Sequence, residues 1–193
     1  MENIKGGVAH IEASFTYVTD FRIAIDGGAH EGVITSLIKD KFERVYAFEP
    51  GPLPLLKLRE RTVSWSNVVL HEAALGSRAG MVWFGNDGKK IRGRSWFADA
   101  ERTGDTVMMR IDDLGLPTLG LLKLDIEGGE LAALIGGRNT IERCKPAIVI
   151  ETAMTTFKRS NDSGGQRLFG FIDSLGYRVA EKFERDTIFV PVS

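Results

Sequence analysis

The chain has 193 residues, 43% of them hydrophobic, so we expect a single domain over residues 1–193 with a core that needs no disulfide or metal. The 25 basic and 26 acidic residues leave a formal net charge of −1, which argues against a nucleic-acid-binding surface. One cysteine and no long apolar run exclude a disulfide framework and a membrane helix, and we predict a soluble, cytoplasmic protein.

A short apolar strand, Arg22–Ile25, is the first informative element, and an acid, Asp26, closes it. The sharp turn Gly27–Ala29 follows, where glycine permits torsions barred to other residues and leaves no side chain between the turn and a ligand. After Gly32 the apolar residues fall at helical spacing. This strand-turn-helix predicts a bare backbone at the strand's carboxyl end, where open α/β sheets bind ligands.

The second predicted strand, Arg44–Glu49, ends in a carboxylate, and Pro50 restricts the turn after it. Glu49 is placed to accept hydrogen bonds from both ribose hydroxyls of a nucleoside. Asp26 would lie near a ligand's ammonium group, which its charge would attract. The glycine turn alone is weak evidence, because any tight strand-to-helix connection can select glycine. The turn and Glu49 together predict a site for a nucleoside cofactor.

A dinucleotide is the alternative ligand for this architecture, but it needs a G-x-G-x-x-G turn that seats its pyrophosphate on a helix N-terminus. The segment Asp26–Gly32 lacks that spacing, and Glu31 would place a negative charge beside the phosphates. S-adenosylmethionine (SAM) carries a sulfonium and no phosphate, so the acidic turn suits it better.

Strand-like and helical runs then alternate, which predicts a parallel sheet covered on both faces. A leucine-rich stretch, Leu53–Leu58, precedes the third strand, and further helical faces surround Leu131–Ile135 and Leu168–Leu175. The later predicted strands are Val68–Ala73, Leu121–Asp125 and Ala147–Glu151, followed by a hairpin of Tyr177–Phe183 and Thr187–Val190.

Residues Gly76–Asp113 interrupt this alternation, because helix signals disappear and two extra strands are predicted at Met81–Phe84 and Val107–Ile111. We predict an insertion beside the ends of the third and fourth strands that forms a lid or a substrate wall. Within it, Trp96 and Phe97 either face a ligand or fill the core.

The segment Leu121–Glu130 holds the second dense group of charges. Strand alternation puts Lys123 and Asp125 on one face, with Glu127 just beyond the strand. Two carboxylates and an ammonium are costly to collect merely for stability, so these three are the candidate catalytic residues. The alternatives are a solvated strand end, a Lys123 that only pairs with the acids, and a Glu130 that only favours the helix dipole.

Glu151 ends the fifth strand and adds a third carboxylate near the same edge. Asp125, Glu127 and Glu151 would suit a divalent cation as oxygen ligands, or one of them would serve as a general base. Two histidines are further candidate bases. His30 alternatively positions its loop through a hydrogen bond, and His71 is alternatively a buried, hydrogen-bonded strand residue.

Read in order, these segments resemble FkbM-type methyltransferases over Ile23–Glu151. The resemblance rests on IDGGAHEG, VYAFEP, HEAALGS, RIDDL, LLKLDIEGGELAAL and KPAIVIE, which begin at Ile25, Val45, His71, Arg110, Leu121 and Lys145. The turn departs from the family at Gly27 and His30, where a hydrophobic residue and an asparagine are common.

The resemblance implies an α/β, Rossmann-like class I methyltransferase fold: a seven-stranded, mostly parallel sheet with helices on both faces and a C-terminal antiparallel hairpin. It implies that SAM is the cofactor and that Asp125 and Glu127 lie next to the transferable methyl group. The implied cofactor-binding residues are Asp26, Gly28, Ala29, His30 and Gly32 in the turn, Glu49 and Pro50 at the ribose, and Glu72, Ala73 and Ala74 at the adenine.

The family's usual activity is O-methylation of a hydroxyl, often on a sugar or natural product. The expected partner is therefore a small-molecule acceptor, with a saccharide as one candidate, and neither nucleic acid nor membrane. The alternative is a non-catalytic binding module that keeps the fold, because fold alone does not specify activity. The presence of both Glu49 and Asp125 favours the enzyme.

Overall fold

The computed structural model describes residues 8–85, 96–97 and 104–192. In chain order its strands are β1 (Ile23–Gly27), β2 (Arg44–Phe48), β3 (Val68–His71), β4 (Ala74–Leu75), β5 (Gly80–Val82), β6 (Phe84–Gly85), β7 (Trp96–Phe97), β8 (Thr106–Met109), β9 (Leu121–Leu124), β10 (Ala147–Glu151), β11 (Tyr177–Lys182) and β12 (Asp186–Pro191). The α-helices are α1 (Ala9–Ser14), α2 (Val33–Lys39), α3 (Pro52–Thr62), α4 (Glu130–Gly136), α5 (Arg138–Cys144), α6 (Met154–Arg159) and α7 (Gln166–Ser174), and short 3-10 helices lie at Phe15–Tyr17, Ile111–Leu114 and Ser163–Gly165.

One seven-stranded sheet organises the molecule, with the strand order β11-β12-β10-β9-β1-β2-β3. Strands β1, β2, β3, β9 and β10 run parallel, whereas β12 is antiparallel to β10 and β11 is antiparallel to β12. The predicted mostly parallel sheet with a C-terminal hairpin is confirmed. The chain leaves β1 toward β2 on one side and returns to β9 on the other, and such a reversal opens a crevice at the strands' carboxyl ends.

Both faces of the central strands are buried, as a parallel sheet between two helical layers requires. On one face, Ile25 and Leu122 belong to a cluster that includes Leu134 of α4 and Ile172 of α7. On the other face, Ala24 belongs to a cluster with residues of α1 and α2, among them Ile11 and Ile38. Alternation along β1 therefore supplies both halves of the core.

Two short helices were not predicted from the sequence. Helices α1 and α6 are six residues each and were not predicted, because so short a segment shows little periodicity. Helix α4 ends at Gly136 and α5 begins at Arg138, with Gly137 between them. A Cβ on Gly136 would lie 2.0 Å from the carbonyl oxygen of Gly76, so this glycine permits close packing.

The predicted insertion forms small sheets of its own. Strand β8 pairs with β4 in parallel and with β5 antiparallel, and β6 pairs antiparallel with β7, which contains Trp96 and Phe97. The extra strands are shorter than predicted: the first is split at Trp83, and the second ends at Met109. Residues 86–95 and 98–103 of the insertion lie outside the described residues, so its role as a lid stays a prediction.

Across the described part of the chain, no helix combines the length and the apolar character that a membrane span requires.

Candidate functional site

A cavity opens at the carboxyl edge of the sheet, between the turn after β1 and the segments after β2, β3 and β9. Eight of the predicted cofactor-binding and catalytic residues line its wall: Gly28, His30, Glu49, Pro50, Ala73, Ala74, Asp125 and Glu127. Apolar side chains complete it, namely Phe48, Pro54, Leu75, Phe84 and Ile126. The fold thus brings together the first turn, the second-strand acid and the two acids after the fourth parallel strand.

Gly28 lies where two segments of the site touch through their backbones. Its φ is 76°, and a Cβ built on it would lie 1.9 Å from the carbonyl oxygen of Asp125. The amide of Asp125 also donates to the carbonyl of Gly27 at 3.1 Å. Glycine is therefore required here both for the left-handed backbone and for the close approach of the β9 loop.

Glu49 is tied to the same turn from the other side. Its exposed fraction is 7%, and its carboxylate accepts hydrogen bonds from the amide of His30 (2.8 Å) and the amide of Gly51 (2.7 Å). Burial raises the pKa of Glu49 above its ordinary value, and the two amide hydrogen bonds oppose that rise. Because each carboxylate oxygen has a second lone pair, Glu49 can still accept hydrogen bonds from a ligand's hydroxyls.

Asp26 lies behind the turn and does not line the cavity, because its side chain is fully buried against Lys123 and Thr35. The Lys123 Nζ atom is 2.9 Å from one carboxylate oxygen of Asp26, and the Thr35 hydroxyl donates to the other at 2.6 Å. In the structure the ammonium beside Asp26 belongs to Lys123, and the prediction that a ligand's ammonium group also lies near Asp26 stays a prediction.

Lys123 also donates to the carbonyl oxygens of Gly27 (3.1 Å) and Gly28 (2.9 Å). Burial disfavours its ammonium, but the attraction of Asp26 and Asp125 outweighs burial and raises the pKa of Lys123 above its ordinary value. Lys123 is therefore buried and engaged with Asp26 and the turn, which favours the alternative that it only pairs with the acids.

Three further predicted cofactor residues lie outside the cavity wall. Ala29 packs in a small cluster with Leu58 of α3, and Gly32, at a φ of 83°, begins α2. Glu72 is exposed, and its carboxylate pairs with the Arg59 guanidinium at 2.5 Å. These residues shape the surroundings of the turn and of β3 rather than the cavity itself.

The predicted set of metal ligands is not assembled. Glu151 is 2% exposed, and its carboxylate accepts hydrogen bonds from the Arg185 guanidinium and from the Thr156 hydroxyl, the latter at 2.6 Å. Its two carboxylate oxygens are therefore engaged by Arg185 and Thr156. Within residues 8–85, 96–97 and 104–192, no group of three or more His, Cys, Asp or Glu side chains could hold a metal ion.

The β9 loop, defined as residues Asp125–Gly129, carries both acids of the cavity. Glu127 has a φ of 59°, in the left-handed region, and Gly128 has a φ of 108°. Glu130, the first residue of α4, is 2% exposed and turns back toward this loop. One of its carboxylate oxygens accepts hydrogen bonds from the amides of Ile126 (3.0 Å) and Gly128 (3.1 Å), and burial raises the pKa of Glu130 to about 7.

A second polar group near Asp125 was missed by the sequence analysis. His10 Nδ1 of α1 lies 3.6 Å from the carboxylate of Asp186, at the start of β12. Burial, with the repulsion of Asp125 and Glu151, raises the pKa of Asp186 to about 6, whereas burial and Lys123 lower the pKa of His10. One signal was available: a closing antiparallel strand begins at the edge where parallel strands end, which brings Asp186 to this edge.

His71 is the last residue of β3 and is half-buried. Its ring stacks on Phe48 with the ring centroids 4.6 Å apart, and it is not part of the cavity wall. Burial lowers the pKa of His71, and among the described residues its Nε2 atom has no hydrogen-bond partner. Its ring therefore contributes an aromatic surface, and the part of the prediction that its side chain is fully hydrogen-bonded is wrong.

The Methyltransferase FkbM domain family matches residues 26–179. Among solved structures, an FkbM methyltransferase from Methylobacillus flagellatus is similar to 87% of this chain, with a TM-score of 0.59 and 24% sequence identity. The chain spans 42% of the length of that protein.

Two more distant structures share the fold. A candidate methyltransferase from Streptococcus mutans, in complex with S-adenosylhomocysteine (SAH), is similar over 96% of this chain and 97% of its own, with 12% identity and a TM-score of 0.55. Fibrillarin from Aeropyrum pernix, with natively bound SAM, is similar over 93% of this chain and 72% of its own, with 13% identity and a TM-score of 0.53. The search of curated proteins gives no match.

The buried ion pair predicts a large loss of stability when one partner is removed. Lys123→Met leaves the Asp26 carboxylate buried with Thr35 as its remaining partner, so we expect the free energy of unfolding to fall by about 3–5 kcal/mol. The double variant Asp26→Asn/Lys123→Met should recover part of that loss, because no charge is left uncompensated. Urea unfolding measures both, and a Lys123→Met protein as stable as wild type would contradict this account.

Glu130 predicts a pH dependence of stability. Its pKa is about 7 when folded and lies near the ordinary 4.5 when unfolded, so between these values the folded protein binds more protons. The stability that Glu130 contributes is therefore lost as the pH rises toward 7 and above. Relative to wild type, Glu130→Gln should gain up to about 3 kcal/mol between pH 4.5 and pH 8, measured by urea unfolding. A difference that does not change with pH would contradict the assignment.

Proposed function

Because the chain belongs to the FkbM methyltransferase family, we propose that it transfers the methyl group of SAM to a hydroxyl of a sugar or another small molecule. One observation carries the proposal: a single cavity contains the bare turn at Gly28, the buried acid Glu49 and the acids Asp125 and Glu127. The solved relatives from Streptococcus mutans and Aeropyrum pernix contain SAH and SAM, which supports the same cofactor here.

The cavity fits a nucleoside cofactor in its hydrogen-bond acceptors and its walls. Glu49 offers free lone pairs for ribose hydroxyls, and the backbone at Gly28 leaves room that a Cβ would fill. Phe48, Leu75 and Phe84 supply apolar surface suited to a nucleobase. The absence of phosphate-binding glycine spacing in Asp26–Gly32 favours SAM over a dinucleotide.

When bound, SAM supplies an electrophilic methyl group on its sulfonium. Transfer of this methyl group leaves a neutral sulfide. In the proposal, the protein orients the acceptor hydroxyl in the cavity and excludes water, because alignment of two reactants removes much of the barrier. Asp125 accepts the hydroxyl proton, and Glu127 holds the acceptor by hydrogen bonds. The two acids lie on one loop, so their relative position is fixed by its backbone.

The acceptor class follows from charge. The formal net charge of −1 and the two acids of the cavity favour a neutral, hydroxyl-bearing small molecule over a nucleic acid or a phosphorylated compound. A saccharide is one such acceptor. The cytoplasm, where SAM is available as a soluble cofactor, is the proposed location.

Calorimetry with SAH and with NAD tests the cofactor. We expect SAH to bind and NAD to give no heat of binding. Glu49→Ala should weaken SAH binding by about 1.5–3 kcal/mol, the scale for hydrogen bonds to a charged group. Glu43→Ala, an exposed acid at the opposite end of β2, is the matched control and should bind SAH as wild type does. Tight NAD binding without any response to SAH would refute the proposal.

Asp125→Asn tests the chemistry, because it preserves size but removes the charge of the base. We expect turnover to fall by at least about 10²-fold, while SAH affinity changes by less than about tenfold. Asp113→Asn, which alters a half-exposed acid paired with Arg110, is the control and should keep full turnover.

Added Mg²⁺ or EDTA separates the two roles of a carboxylate, because a proton acceptor is indifferent to both and a metal ligand is not. Full turnover in Asp125→Asn would move the chemistry to Glu127. SAH binding without methyl transfer to any acceptor in the wild type would favour the non-catalytic module.

A further inference from the structure

We propose that Glu130 is a positioning residue, which sets the geometry of Asp125 and Glu127 by holding the β9 loop from behind. The inference rests on the proposed function, because it assigns Glu130 a part in methyl transfer without contact with either reactant. Glu130 is not part of the cavity wall, and it acts through the peptide groups that it binds.

The two backbone amides that donate hydrogen bonds to Glu130 flank Glu127 in the chain. The Ile126 amide lies before Glu127, and the Gly128 amide belongs to the peptide group that follows it. Both donate to a single carboxylate oxygen, which therefore fixes the orientation of the backbone on each side of Glu127. The loop's first residue, Asp125, is fixed separately by its amide hydrogen bond to Gly27.

The loop needs such support because its backbone is unfavourable. A left-handed conformation is unfavourable for a residue with a side chain, and Glu127 adopts it with a φ of 59°. Without the two hydrogen bonds, residues 126–128 would relax toward ordinary torsions, and the Glu127 carboxylate would leave its place in the cavity wall.

A helix-starting acid ordinarily remains exposed and interacts with the helix dipole. Glu130 instead is 2% exposed, although burying a carboxylate is unfavourable, and it reaches backward to the loop rather than forward along α4. Asp162 provides the comparison. It is 4% exposed and accepts hydrogen bonds from the amides of Arg167 and Leu168, both at 3.0 Å, at the start of α7 and outside the cavity wall.

The experiment compares Glu130→Ala, Glu130→Gln and the matched control Asp162→Ala. Glutamine keeps an acceptor oxygen at the same reach, so Glu130→Gln should retain kcat within about threefold of wild type. Glu130→Ala should lose at least about tenfold in kcat while the Kd for SAH stays within about threefold, because Glu49 and the turn at Gly28 are untouched. Asp162→Ala removes the same number of amide hydrogen bonds and should keep kcat within about threefold.

Amide hydrogen exchange provides a second readout that needs no acceptor. In Glu130→Ala, exchange at Ile126 and Gly128 should accelerate at least about tenfold, and in Glu130→Gln and Asp162→Ala it should stay close to wild type. If Glu130→Ala does not fold, Glu130→Asp replaces it, because the shorter side chain withdraws the oxygen from both amides and should lower kcat in the same way.

The inference is overturned if Glu130→Ala keeps full kcat or unchanged exchange at the two amides, since Glu130 would then be only a structural helix start. It is also overturned if Glu130→Gln loses as much kcat as Glu130→Ala, because charge and not hydrogen-bond geometry would then matter. Absence of methyl transfer in the wild type would refute the proposed function alone, and the exchange rates would still decide whether Glu130 holds the loop.

Discussion

The buried ion pair between Asp26 and Lys123 is the interaction on which the site depends. It joins the two central strands, β1 and β9, at the point where both deliver their functional turns. A buried pair is not stabilising by itself, because removing two charges from water offsets their attraction. Here the ammonium also satisfies the carbonyls of Gly27 and Gly28, which fixes the backbone of the turn that forms one wall of the cavity.

The buried carboxylates of the site have two roles: some line the cavity, and others support the backbone of the loops that form it. Glu49 lines the cavity and also accepts hydrogen bonds from the amides of His30 and Gly51. A ligand group bound to Glu49 is therefore connected to the turn through the same carboxylate. Glu130 accepts hydrogen bonds from two amides of the β9 loop and is not part of the cavity wall. Asp125, next to the Gly28 backbone, and Glu127 are the acids that line the cavity from that loop. The same side-chain chemistry therefore has different roles according to which backbone groups surround it.

Regular elements with strong local patterns were predictable from the sequence. The parallel strands, the strand-turn-helix at Gly28 and the closing hairpin follow from apolar runs, glycine and turn residues, which act over a few neighbouring positions. The short helices α1 and α6 were not, because six residues give little periodicity and their stability comes from packing. His10 was missed for this reason, since nothing local indicates that α1 brings it to Asp186.

For the site, the sequence by itself determined which residue types gather at the carboxyl edge of the sheet, because parallel strands must end there together. It did not determine which of them face the cavity. Only the tertiary structure turned Asp26 toward Lys123 and Glu151 toward Arg185, while leaving Glu49 and Asp125 at the cavity wall. The physical reason is that a buried carboxylate requires a partner, and that partner is supplied by residues distant in the chain whose position only the folded sheet fixes.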